Sequence, residues 1–116
     1  FTKMLLDENI IKHIEYKIYL KWVDEFKLNM PNEYIIYLKT DPETAHERII
    51  QRNRLGENID INYINKCHNY HEYWLNNIKN ICILDGNLNN KNPNNFEKWM
   101  IEINEFLNRI ILENLV

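Results

Sequence analysis

The sequence of 116 residues predicts an α/β fold, mostly helical, built on a parallel sheet. Three observations carry that expectation. Two short runs, at 34–38 and Ile81–Asp85, are almost continuously apolar and rich in β-formers, the pattern of strands covered on both faces. Around them apolar residues recur at helical spacing, and strands that alternate with helices pair in parallel. Only two glycines occur in the chain, so tight turns are few and helix is favoured.

The elements follow in order. Over residues 4–28 the apolar positions are Leu5, Ile11, Ile14, Ile18, Trp22 and Phe26, and the last four are spaced by four, which predicts a helix. Met30-Pro31-Asn32 breaks it. After the first strand comes Thr40-Asp41-Pro42-Glu43. Either Thr40 caps a helix with Glu43 closing a capping box, or Asp41 caps it with Pro42 at the first helical position. That helix runs to about Asn53, with Gly56 where a stop is expected.

Asp60 caps the next helix, whose stripe is Ile61, Ile64, Cys67, His71, Trp74 and Ile78. Gly86 ends the second strand, and 87–95 is a polar loop. A last amphipathic helix turns Phe96, Met100, Ile103, Leu107 and Ile110 inward. Two strands make no stable open sheet by themselves, so further strands are expected upstream of Phe1. Phe1 starts in mid-pattern without an initiator methionine, which suggests a fragment. No internal repeat or linker divides the chain, so residues 1–116 are expected to form the C-terminal part of a single domain.

Composition narrows the function classes. A net charge of -3 and a pI of about 5.8 give no basic field for wholesale nucleic-acid binding. No apolar run approaches the roughly 18 residues that span a bilayer, and no basic-then-apolar signal opens the chain. Cys67 and Cys82 sit within apolar patterns and are expected as reduced, buried thiols rather than a disulfide. The expected compartment is the cytoplasm, with a mitochondrial one kept as the alternative.

The stretch 48–57 carries the chemistry. Arg48 and Arg52 are four apart and project from one helix face, and Arg54 follows where helix gives way to loop. Three guanidinium groups converging at a helix end suit a polyanion, because each offers a fork of donors and a permanent charge. Phosphoryl transfer needs such groups, since its transition state spreads negative charge over the transferred oxygens. A closing lid that carries them also excludes water. By itself the triplet reads as a solvated basic turn with ion pairs to Glu43, Glu47 or Glu57. Its place after a buried strand and a capped helix favours the functional reading.

The sequence resembles the deoxyribonucleoside kinases. The resemblance rests on Tyr-Leu-x-Thr-x-Pro-Glu from Tyr37, Glu-Arg-Ile-x-x-Arg-x-Arg-x-x-Glu from Glu47, Tyr-Ile-x-x-x-His-x-x-His-Glu-x-Trp-Leu from Tyr63, and Ile-Leu-Asp at 83–85. It runs from Phe1 to about Leu88. It implies the C-terminal portion of a P-loop NTPase-like three-layer fold, with a lid at about 48–59, and a role in nucleotide salvage. The activity implied is ATP-dependent phosphorylation of a deoxyribonucleoside 5'-hydroxyl, with Mg2+ held mainly by residues outside this chain.

Residue by residue, the resemblance implies that Arg52 and Arg54 bind donor phosphates and steady the transferring group. It places Arg48 against the donor adenine, Glu57 at the sugar 3'-hydroxyl, and the loop around Asn87 and Leu88 about the donor base. Phe1 matches the aromatic that stacks on the acceptor base. The lid departs from the family pattern in the Leu55-Gly56 pair before Glu57 and in one residue fewer to Tyr63. The glycine-rich phosphate loop and the catalytic carboxylate precede Phe1 in such enzymes, so this chain alone should be inactive. A homodimer through the first helix is implied as well.

Two alternatives stand beside this reading: a thymidylate or other nucleoside monophosphate kinase, and a non-catalytic kinase-like module. His68, His71 and Cys67 invite a metal, but His13 and His46 are isolated and supply no second ligand pair. Those histidines are expected to fix helix packing, and Trp22, Trp74 and Trp99 to serve as core or interface.

Overall fold

The computed structural model describes residues 1–30 and 32–115. Its elements are α1 (Thr2–Asp7), α2 (His13–Lys27), β1 (Ile35–Lys39), α3 (Pro42–Arg52), α4 (Ile61–Leu75), β2 (Ile81–Asp85) and α5 (Pro93–Asn114). β1 and β2 pair in parallel, with Ile35 opposite Ile81 and Lys39 opposite Asp85. β2 spans the predicted residues, and β1 begins one residue later than predicted and takes in Lys39.

Alternation along the strands assigns the two faces of the sheet. On one face Tyr37 Oη and Lys39 Nζ both donate to Glu72 of α4, at 3.0 and 2.5 Å. On the other face Leu84 is buried, and Cys82 approaches the Glu102 carbonyl of α5. Helices therefore flank the sheet on both sides, a three-layer arrangement. The core holds Met4, Leu75, Leu84 and Phe106. α5 lies over β2, and Ile36 and Leu38 of β1 stay exposed on that side. The expectation that both faces of the first strand are covered is thus met on one face only.

The helix expected over 4–28 is two helices. α1 ends at Asp7, and Asn9 adopts a left-handed φ of 58°, a conformation that asparagine tolerates. The N–H groups of Ile10 and Ile11 turn back to the Leu5 carbonyl, which closes α1 and redirects the chain into α2. α1 then packs on α4, aided by Tyr70 donating to Asp7 and an ion pair between Lys66 and Glu8. The series Ile14, Ile18, Trp22, Phe26 lies on α2 and faces outward, with Trp22 60% exposed. α2 stops at Lys27, and Pro31 of the predicted break lies outside the described residues.

Two further helices are corrected at their ends or faces. Asp60 caps α4 as expected, accepting from the Asn62 N–H at 2.5 Å. α4 ends at Leu75, however, so Ile78 follows the helix and Leu75 takes the buried position while Trp74 is exposed. α5 begins at Pro93, where Asn92 accepts from the Asn94 N–H at 3.1 Å, so the polar loop is shorter than 87–95. Its inward residue is Phe106, 6% exposed, with Ile103 and Ile110 half-buried, while Phe96, Met100 and Leu107 are exposed. The Trp99 indole donates to the Asp85 carbonyl at 3.0 Å, and this contact helps to set which face of α5 meets the sheet.

Candidate functional site

The site grows from the carboxyl ends of the two strands. Asp41 occupies the N-cap position of α3 and Pro42 the first helical one, which settles the choice left open at the helix start. The Asp41 side chain does not cap the helix. It accepts instead from Asn87 Nδ2 at 2.9 Å, while the Asp41 N–H donates to Asn87 Oδ1 at 2.9 Å. Beside them the Gly86 N–H donates to the Lys39 carbonyl at 2.6 Å. A Cβ at Gly86 would lie 2.1 Å from Thr40 Oγ1 and 2.6 Å from that carbonyl, so the close approach demands glycine.

From the middle of α3, Arg48 reaches back to this loop. Its Nη1 donates to the Gly86 carbonyl at 2.6 Å, and its Nη2 to the carbonyls of Leu88 and Asn87 at 3.1 and 3.3 Å. One turn later α3 ends at Arg52. Asn53, with a left-handed φ of 47°, closes it by donating its N–H to the Ile49 carbonyl. The helix thus ends at about Asn53 as expected, but the left-handed residue that closes it is Asn53, while Gly56, with a φ of 80°, serves the turn that follows. That turn brings Glu57 back to Arg52, whose Nη2 donates to Oε1 at 2.5 Å. The hydrogen bond from Arg52 holds the Glu57 carboxyl below the usual carboxylate range, opposed by desolvation and helped by the charge of Arg54. Glu57 Oε2 is buried and has no hydrogen-bond partner among the described residues.

Arg48, Arg52, Asn87 and Lys91 line one cleft of about 560 Å³, with Thr44, Glu47, Gln51, Asn89 and Asn90 completing its wall. The structure thus brings together Arg48, Arg52 and Asn87, with Leu88 held to Arg48 and Glu57 held to Arg52. Arg54 is exposed on the turn beyond. Phe1 is exposed at the start of α1 and does not line this cleft. Sequence reasoning missed Lys91, the pairing of Asp41 with Asn87, and the steric need for Gly86. Asp41 and Gly86 read only as a cap and a strand stop, and nothing in the local pattern marked their long-range partners.

His71 does packing work. His71 Nδ1 lies 2.7 Å from the Cys67 carbonyl, which can only accept, so that nitrogen carries the hydrogen and ties the ring to α4. Cys67 and Cys82 are both free thiols.

A parallel sheet between helical layers, with an arginine-bearing helix tied to the loop that leaves the second strand, defines an α/β protein of P-loop-kinase-like architecture. The description "Deoxynucleoside kinase" belongs to the family model that matches residues 1–108. The chain is 32% identical to deoxycytidine kinase 2 of Gallus gallus over 124 residues, covering 92% of this chain and 47% of that protein. It is 39% identical to a probable deoxycytidine kinase of fowlpox virus (strain NVSL) over 79 residues, 65% of this chain and 33% of that protein. It is 31% identical to the mitochondrial deoxyguanosine kinase of Xenopus laevis over 109 residues, 82% of this chain and 41% of that protein. The chain belongs to the deoxynucleoside kinase family, and it spans less than half the length of these three relatives.

Proposed function

We propose that the protein containing these residues transfers the γ-phosphoryl group of ATP to the 5'-hydroxyl of a deoxyribonucleoside. The observation that carries this is the cleft in which Arg48 and Arg52, stacked on one face of α3, stand with Lys91 beside the loop of Asn87 and Leu88. Cationic groups so placed suit a nucleotide, with phosphates toward the helix end and the base toward the loop. Arg52 and Arg54 meet the donor phosphates and offset the charge that develops on the transferring group. Arg48 lies against the donor base, and the loop at Asn87 and Leu88 borders it. Phe1 faces the acceptor base.

Glu57 acts on the acceptor sugar in this reading. Its buried Oε2 lacks a donor among the described residues, and the sugar 3'-hydroxyl would supply one. Donor phosphate competes with Glu57 for Arg52, because both are anions seeking the same guanidinium. In the transfer the bond between the γ-phosphorus and its bridging oxygen breaks, the bond to the 5'-oxygen forms, and the hydroxyl proton passes to a base outside these residues.

The rest of the machinery is assigned outside these residues. No Gly-x-x-x-x-Gly-Lys run occurs in the sequence, so the chain by itself is proposed to be inactive. Mg2+ belongs mainly to the rest of the enzyme; among the described residues no three His, Cys, Asp or Glu side chains gather into a metal-holding group. Residues 1–116 form one part of a single kinase domain, with the lid at about 48–59. The outward row Ile14, Ile18, Trp22 and Phe26 on α2 supports a homodimer contact. No helix among the described residues is long and apolar enough to cross a membrane. The cytoplasm is the proposed compartment.

The test is a kinase assay on the full-length protein with ATP and each deoxynucleoside. Phosphorylation of at least one of them is expected. Preferential phosphorylation of dTMP would replace the proposal with a monophosphate kinase, and no turnover of any acceptor would leave a non-catalytic module.

A further inference from the structure

Asn87 spends every polar atom on the protein framework. Its N–H donates to Asp85 Oδ1 at 2.9 Å, its Nδ2 donates to Asp41 Oδ2 at 2.9 Å, and its Oδ1 accepts from the Asp41 N–H at 2.9 Å. Its carbonyl accepts from Arg48 at 3.3 Å. The side chain is therefore held by the framework at both its amide oxygen and its amide nitrogen, although it lines the cleft. What it does is join the N-cap residue of α3 to the loop that leaves β2. Arg48 makes a second joint between the same two segments, through the carbonyls of Gly86 and Leu88.

We propose that Asn87 and Asp41 are a positioning pair, which locks the loop after β2 to α3 and so sets the separation between the base-facing loop and Arg52. The proposal rests on the kinase reading above. A donor nucleotide must engage both ends at once, and a spacing held before binding removes the cost of ordering the loop during binding. The pairing chemistry is specific. A carboxamide carries both N–H donors and an acceptor oxygen, and these match the carboxylate and the main-chain N–H of Asp41. Asn87→Asp would set a third carboxylate against Asp41 and Asp85 and remove the Nδ2 donor. In the exchanged pair, Asp41→Asn with Asn87→Asp, the amide donates from the other side and every hydrogen bond is kept.

The experiment uses the full-length protein and measures donor KM, acceptor KM and kcat for Asn87→Asp, Asn87→Ala, and the exchanged double variant. Asn87→Asp is expected to raise the donor KM by about tenfold, the scale of one or two lost hydrogen bonds near a charged group. The acceptor KM should move far less, Asn87→Ala should fall between, and the exchanged pair should return the donor KM toward the wild-type value. An unchanged donor KM in both single variants of an active enzyme overturns the positioning role alone. So does an equal rise in both KM values that the exchange fails to reverse, which marks general damage to the fold. A wild-type protein that phosphorylates no nucleoside overturns the kinase reading and this inference together.

Discussion

Arg48 and Arg52 sit one turn apart on the same face of α3, and their surroundings differ sharply. Arg48 donates to three main-chain carbonyls that are held in place by Gly86, Asn87 and the strand ends. Arg52 makes one ion pair, to a glutamate on the far side of a glycine turn, with its own side chain 45% exposed. Carbonyls fixed by the backbone cannot leave, so the N–H groups of Arg48 are committed to the framework, and the proposed base contact falls to the face of its guanidinium. A carboxylate on a turn can be displaced by a stronger anion, so Arg52 can exchange its partner, as the phosphate contact proposed above requires. The contrast teaches that residue type and helical face do not set an arginine's surroundings; the kind of partner that the fold supplies does.

The sharpest way to break this comparison is Arg52→Ala in the full-length enzyme. Steady-state kinetics should show kcat lower by on the order of a hundredfold, the scale of losing a donor to transition-state charge. An unaltered kcat would reduce Arg52 to surface charge, no different in function from a solvated turn. Next in size is Gly86→Ala, where the new Cβ meets a main-chain carbonyl at 2.6 Å. Denaturant unfolding should register a loss of about 2–3 kcal/mol, near the upper range for overpacking. A neutral result would show that the strand ends are not tightly joined.

Arg48→Ala should cost about 1–3 kcal/mol of stability by leaving partly buried carbonyls without their donor. Arg52→Ala should change the unfolding midpoint much less, since exposed ion pairs contribute little. Equal losses at the two sites would erase the distinction between clamp and reagent. The smallest expected effect concerns pH and Tyr37, on the face of the sheet that meets α4. Burial, then its hydrogen bond to Glu72, pushes the Tyr37 phenol up to about 12. With the folded value raised above the ordinary 10, the contribution is complete below pH 10 and lost as pH rises toward 12. Tyr37→Phe should therefore flatten the fall in thermal midpoint over that window, and a profile parallel to wild type would contradict it.

The local signals were legible. Strand 81–85, the Asp60 cap and the alternation of strands with helices all follow from patterns a few residues long. So does the shared face of Arg48 and Arg52, which the pitch of the helix imposes. Less legible were features decided by competition between similar local choices. Asn53 and Gly56 can both end a helix and both are left-handed, and the cap fell at Asn53. On α5 several apolar rows are available, and contacts of Trp99 and Glu102 with β2 favour the one holding Phe106.

By itself the sequence determined the two strands and the helices that follow them, that the arginines share a face, and that the pattern is one of the deoxynucleoside kinase family. Spacing sets the angle between side chains on one element, and that angle survives any packing. Only the tertiary structure decided that Arg48 is spent on the loop after β2, that Arg52 answers to Glu57, and that Asp41 pairs with a residue 46 positions away. Those outcomes depend on how each helix is rotated and where the strand ends meet. No local periodicity encodes either.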